Sequence, residues 1–138
     1  MKFTPTNSKV YKVTLSPKEN AEKAKKSKKD HKDINANLKF ENQLYLNSSD
    51  KKLFRLRYLV TVDVENMVDI DLEYDFDFSA ENEVDESLAS SLVIRSEIPN
   101  YVFPYIKSYL EHFLMMSGYG YIPFPYVDFL SQPIPEKE

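Results

Sequence analysis

Residues 68 to 78 alternate apolar and acidic side chains without a fault. Val68, Ile70, Leu72, Tyr74, Phe76 and Phe78 fall on one face of an extended strand, because successive strand side chains point to opposite sides. Asp69, Asp71, Glu73, Asp75 and Asp77 fall on the other. The same period, less regular, marks three earlier strands. Residues 9–16 alternate loosely. Residues 36–47 carry Leu38, Phe40, Leu44 and Leu46, with the polar pair Asn42 and Gln43 predicting a bulge. Residues 53–65 place Leu56, Tyr58, Val60, Val62 and Val64 on one face. Residues 48–51, Ser-Ser-Asp-Lys, have hairpin-turn chemistry, and Glu65, Asn66 and Met67 make a tight connection.

The period then changes. Val102, Ile106, Tyr109, Phe113 and Met116 recur at helical spacing, and Phe103, Leu110 and Leu114 widen the stripe. Asn100 is the expected N-cap. Pro104 is expected in the first turn, where its missing N–H has no helical partner to lose. Gly118 stands where a left-handed C-cap is wanted. Past it, residues 119–130 (YGYIPFPYVDFL) are dense in rings and held open by Pro123 and Pro125. A last turn is expected at 126–131, then a flexible tail at 132–138. Four antiparallel strands followed by a long helix predict one α+β domain, with the helix covering one sheet face. The helix stripe is too broad for one small sheet, and surplus apolar surface marks a subunit interface or a binding groove.

Composition narrows the function. The chain has 138 residues, 42% hydrophobic and 29% charged, which suits a folded domain. A net charge of -4 and a pI near 5.3 argue against nucleic acid as the main partner. Cysteine is absent, so disulfide and thiolate chemistry are excluded and a cytoplasmic setting is expected. The start lacks the apolar run of a signal peptide, and no window is apolar enough to predict membrane insertion. Two glycines cannot build a phosphate-binding loop. Residues 18–33 are lysine-rich, lack large apolar groups and read as a long solvated loop or a short polar helix, with a basic patch for nucleic acid or anionic lipid as the functional alternative.

No constellation for catalysis emerges. His31 lies in the lysine-rich segment and His112 on the exposed side of the helix; neither has metal-ligand spacing. Glu111 and His112 read as a solvated pair. The carboxylate row of the fourth strand has two readings. It is a solvated face relieved by lysines on neighbouring strands, or an electrostatic docking face for a basic partner. A calcium site needs oxygens converging from a looped backbone, which a straight strand does not supply.

The segment from Pro99 onward resembles the C-terminal half of the SecB-type export chaperones. The resemblance rests on Pro99, Asn100, Phe103, Pro104 and Tyr105 at the helix start, and on Gly118 and Gly120. It continues through Pro123, Pro125, Val127, Asp128 and Phe129. Residues 53–66 also look like that family's third strand. The pattern departs from the family at Asp128, where an asparagine is usual, and in the Gly-Tyr-Gly-Tyr-Ile-Pro run.

The resemblance implies a molecular chaperone that holds unfolded or precursor polypeptides, without cofactor, as a homotetramer built from two dimers. It implies a possible hand-off to the SecA translocation motor, docked on Asp69, Asp71 and Glu73. Tyr119, Tyr121, Phe124 and Tyr126 become groove residues, helped by Phe76 and Phe78, because rings offer large contact area with few rotors to freeze. Ile106, Tyr109 and Phe113 go to the core or the oligomer interface. Three other readings stay open: the rings simply close the core, the protein is an adaptor for one partner such as an antitoxin, or the rings hold a small ligand.

Overall fold

The computed structural model describes residues 2–19 and 35–136. Strands β1 (Phe3–Pro17), β2 (Ala36–Leu46), β3 (Leu53–Val64) and β4 (Val68–Ala80) form one antiparallel sheet in the order β1-β4-β3-β2. A 3₁₀ turn (Glu86–Ser90) and a π-helical turn (Val93–Glu97) lead into helix α1 (Ile98–Met116). The expected four strands and long C-terminal helix are all present. Most of residues 18–33 lie outside the described residues.

The alternation of β3 and β4 does what strand geometry requires. Phe54, Leu56, Tyr58, Val60, Val62 and Val64 are buried on the inner face, opposite Val68, Ile70, Leu72, Phe76, Phe78 and Ala80. Helix α1 lies across that face with Ile98, Val102, Phe103, Ile106, Leu110 and Leu114 buried. Ring contacts tie the layers: Phe103 to Phe40 at 5.6 Å, Tyr109 edge-on to Tyr74 at 5.7 Å. The turn before β4 needs a left-handed residue, and Asn66 supplies it at φ 62°.

Four local expectations are corrected. Strand β1 starts at Phe3 rather than at residue 9. Register shifts between Pro5 and Asn7 and between Val10 and Lys12 scramble its alternation, so its full length has no period to read. The bulge expected at Asn42 and Gln43 is absent; β2 pairs with β3 in unbroken register. Asn42 instead faces inward, buried, and its amide donates to the Ile94 carbonyl at 3.0 Å. The cause lies in the π turn. Ile98 N–H bonds to the Val93 carbonyl, five residues back, and the next residue is Pro99, which has no N–H to give Ile94. Asn42 satisfies the carbonyl that this arrangement orphans.

Third, Asn100 is not the cap. The cap position falls on Glu97, three residues earlier, and the helix is entered directly from the π turn with no side-chain cap, so Pro104 sits inside it rather than in the first turn. Pro104 is exposed, and with no N–H it leaves the Asn100 carbonyl without its helical donor. Fourth, the tail is not free. It is held to the π turn at Ile134, which is buried, while Pro135 and Glu136 are exposed and residues 137 and 138 lie outside the described residues.

The helix ends as expected. Gly118, at φ 95°, forms a Schellman cap: Tyr119 N–H bonds to the Leu114 carbonyl at 3.0 Å and Gly118 N–H to Met115 at 3.2 Å. One turn follows the loop, at 128–132. Asp128 builds it by accepting the Ser131 hydroxyl at 2.8 Å and the Leu130 N–H at 3.0 Å, which hold its carboxyl below the usual range.

Candidate functional site: an aromatic loop clamped to the helix

Residues 119–127 have no regular secondary structure, yet they are fixed. Ile122 and Phe124 turn inward and are buried, while Tyr121 and Tyr126 turn outward with 55% and 73% exposure. Pro123 and Pro125 lie on the outer side between them. Each proline fixes its own φ and confines the preceding residue to extended backbone, so the loop cannot coil into more helix. Tyr126 stacks on Phe103 at 5.9 Å, in a cluster with Phe40 and Phe129. It is seated on the core and still mostly open to solvent.

The clamp is Glu111. Its carboxylate accepts the Phe124 N–H at 3.2 Å and pairs with Lys107 at 3.0 Å, one helical turn away. The solvated pair expected of Glu111 and His112 does not form in that way. His112 is exposed, whereas Glu111 turns toward the loop. Replacing Glu111 with alanine leaves Phe124 N–H without its acceptor, at a cost of about 1–3 kcal/mol. Amide hydrogen exchange at Phe124 is expected to accelerate, and Glu111→Gln, which keeps an acceptor, is expected to restore much of the protection.

The residues expected to form a groove therefore divide. Tyr121 and Tyr126 are accessible and Tyr119 is half-buried. Phe76, Phe78 and Phe124 are corrected to core positions: strand alternation places the first two on the buried inner face of the sheet, and the loop's inward turn buries the third. Ile106 is wholly buried. Tyr109 and Phe113 are half-buried, stacked on each other at 5.8 Å, and burial raises the Tyr109 hydroxyl above its ordinary pKa. They belong to a helix stripe that ends at Met116, already expected there and 82% exposed, and that Tyr101 and Tyr105 extend toward the helix start beyond the positions expected. Spacings of four, four, four and three residues were the available signal.

The acidic face is not an unbalanced row. Arg55 and Arg57 stand opposite Asp77 and Asp75 in register, and each forms a two-pronged pair. Asp75 is buried beneath Arg57, whose guanidinium lies 3.6 Å from the Tyr11 ring centre and 5.4 Å from that of Tyr45. These contacts hold the Arg57 proton more firmly than usual, chiefly through the Asp75 hydrogen bonds. Lys18 bonds to Asp63 and reaches Asp69 at 3.7 Å. Asp71 is exposed and Glu73 half-buried beside Lys12 of β1. The row is relieved, but mainly by Arg55 and Arg57 of β3 rather than by the lysines expected on neighbouring strands; Lys18 is the lysine that reaches it.

Among the described residues no three His, Cys, Asp or Glu side chains come together as a metal site, and no helix is long and apolar enough to cross a membrane. Two depressions border Leu46 and Asn47 at one end of the sheet, away from the aromatic loop, and in one of them Arg55 and Arg57 are already engaged by Asp77 and Asp75.

A four-stranded antiparallel sheet crossed by one long helix, with a proline-held loop beyond it, is a SecB-like fold. The solved SecB-like chaperone of Mycobacterium tuberculosis, in complex with a ChAD peptide from the HigA1 antitoxin, superposes with a TM-score of 0.72 at 12% identity. The match covers 91% of this chain and 90% of that one. A protein of unknown function from Streptococcus agalactiae aligns over 100% of this chain and 98% of its own, at 13% identity and a TM-score of 0.49. No protein-family model and no curated protein matches the sequence.

Proposed function

We propose that this protein is a SecB-like chaperone that holds extended or non-native polypeptide against the 119–127 loop. The observation that carries the reading is the outward set of Tyr121 and Tyr126 on a loop fixed by Glu111, two prolines and Phe103. Rigid rings bind varied apolar side chains at low entropic cost, since the surface does not have to be ordered when the client arrives. The reading contains no catalytic step and no cofactor.

Two forms of the reading differ in partner. A chaperone for unfolded preproteins would hand its client to SecA through Asp69, Asp71 and Glu73. A dedicated chaperone would serve one partner of antitoxin type. The charge balance of the sheet favours the second, because the arginine pairs and Lys18 cancel most of the field that would draw a basic domain. A peptide from an antitoxin is also what the superposed mycobacterial chaperone carries. The stripe of Tyr101, Tyr105, Tyr109, Phe113 and Met116 is the self-association surface in this reading, and a tetramer of two dimers is its expected product.

Light scattering for mass and an aggregation assay on two unrelated denatured proteins test it. Protection of both supports the general form. Tight binding of a single antitoxin-type peptide with protection of neither supports the dedicated form. A monomer that does neither overturns the proposal.

A further inference from the structure

Pro133, Ile134 and Pro135 lie in a recess between β2 and the π turn, and the way they are held resembles a bound peptide more than a core element. Arg95 grips the backbone of Ile134 at both ends. Its carbonyl accepts the Ile134 N–H at 2.8 Å, and its guanidinium donates to the Ile134 carbonyl at 2.9 Å. Neither bond depends on the identity of the side chain. The Ile134 side chain provides the one apolar anchor, at 7% exposure. Pro135 confines Ile134 to extended backbone, and neither proline has an N–H that would need a partner. Beside the anchor, a cavity of about 100 Å³ remains between Asn42, Leu44, Ala89, Ile94 and the segment itself. A site that reads main chain through hydrogen bonds and one side chain through a pocket is how extended peptides are recognised.

We propose that this recess is a second peptide-binding site, for an extended segment with one aliphatic or aromatic side chain beside proline, and that residues 133–135 fill it in cis as a built-in competitor. The spare cavity favours a client side chain larger than isoleucine. A tethered segment acts at an effective concentration on the order of 1 mM, so it reduces the apparent affinity of a ligand in trans about tenfold where its own dissociation constant is about 100 μM.

The test uses the full chain with Ile134→Asp. The carboxylate does not stay in an apolar recess, so the segment leaves and the site opens. A labelled peptide of residues 131–138, followed by fluorescence anisotropy, is expected to bind this variant about tenfold more tightly than the unaltered chain. The same peptide with Phe in place of Ile134 is expected to bind more tightly still. Adding Arg95→Met to Ile134→Asp is expected to abolish binding. A chain ending at Gln132 provides an independent opening of the site. If both opened chains keep their circular dichroism and neither binds the peptide, the proposal fails. If both unfold, the segment is a core element and the proposal fails equally. Exchange of the segment between two copies shows as a dimer that Ile134→Asp dissolves, which overturns the arrangement in cis. The readout involves no unfolded client, so failure here and failure of the chaperone reading are separable.

Discussion

Phe103→Ala is expected to lower the stability of the folded chain by about 3–5 kcal/mol in urea unfolding, the range for emptying a buried phenylalanine site. Phe103 is almost fully buried, and its ring meets Phe40, Tyr126 and Phe129 at 5.6, 5.9 and 5.8 Å. Deleting it opens a void between helix α1 and β2 that three other rings cannot fill without leaving their own seats. The same change removes the surface on which Tyr126 stacks. Client binding is therefore expected to fall at temperatures where the variant is still folded, and Phe103→Leu, which keeps much of the volume, is expected to unfold less readily while still releasing Tyr126. A loss of stability under about 1 kcal/mol would mean that the helix and β2 are not joined through this ring, since surface substitutions stay within about 0.5 kcal/mol.

The second large effect is expected on the opposite side of the sheet. Asp75→Ala leaves the Arg57 guanidinium, mostly enclosed by Tyr11 and Tyr45, without its bidentate partner. Breaking a buried pair from one side costs about 3–5 kcal/mol, because the remaining charge cannot be rehydrated in place. Asp71→Asn, on the same face but exposed, is expected to change stability by no more than about 0.5 kcal/mol. Replacing the pair together, Arg57→Met with Asp75→Leu, is expected to recover most of the loss, since a well-packed apolar pair substitutes for a buried ion pair at little net cost. Equal effects at Asp75 and Asp71 would show that the whole row is solvated.

The regular parts of this fold were legible because one face of each central strand is buried and the other is wet. In β3 and β4 that division leaves a period of two that survives in the sequence, and the helix leaves its own period. What escaped had a specific cause in each case. The register shifts in β1 break its alternation. Asn42 looked like an interruption because its partner, the Ile94 carbonyl, is orphaned by a proline more than fifty residues away. The helix start was misplaced because the π turn provides an entry without a capping side chain.

The candidate site was only half legible. The density of rings and prolines marked the loop, but which rings face outward is decided by the clamp from Glu111, and sequence spacing shows only its Lys107 contact. Within the loop a faint signal existed: Ile122 and Phe124 alternate with Tyr121, Pro123 and Pro125, which is the pattern of an extended segment with one side buried. The arginines that balance the acidic strand were also visible, at positions 55 and 57, but their pairing with Asp77 and Asp75 depends on the hairpin register.

Site-specific photo-crosslinking tests the central claim most directly. A photoreactive phenylalanine analogue placed at position 121 or 126 is expected to crosslink a denatured client or an antitoxin-type peptide, and the same analogue at Tyr11 or Tyr45, also exposed but on the outer sheet face, is expected not to. Crosslinks at 11 and 45 with none at 121 or 126 would contradict the account.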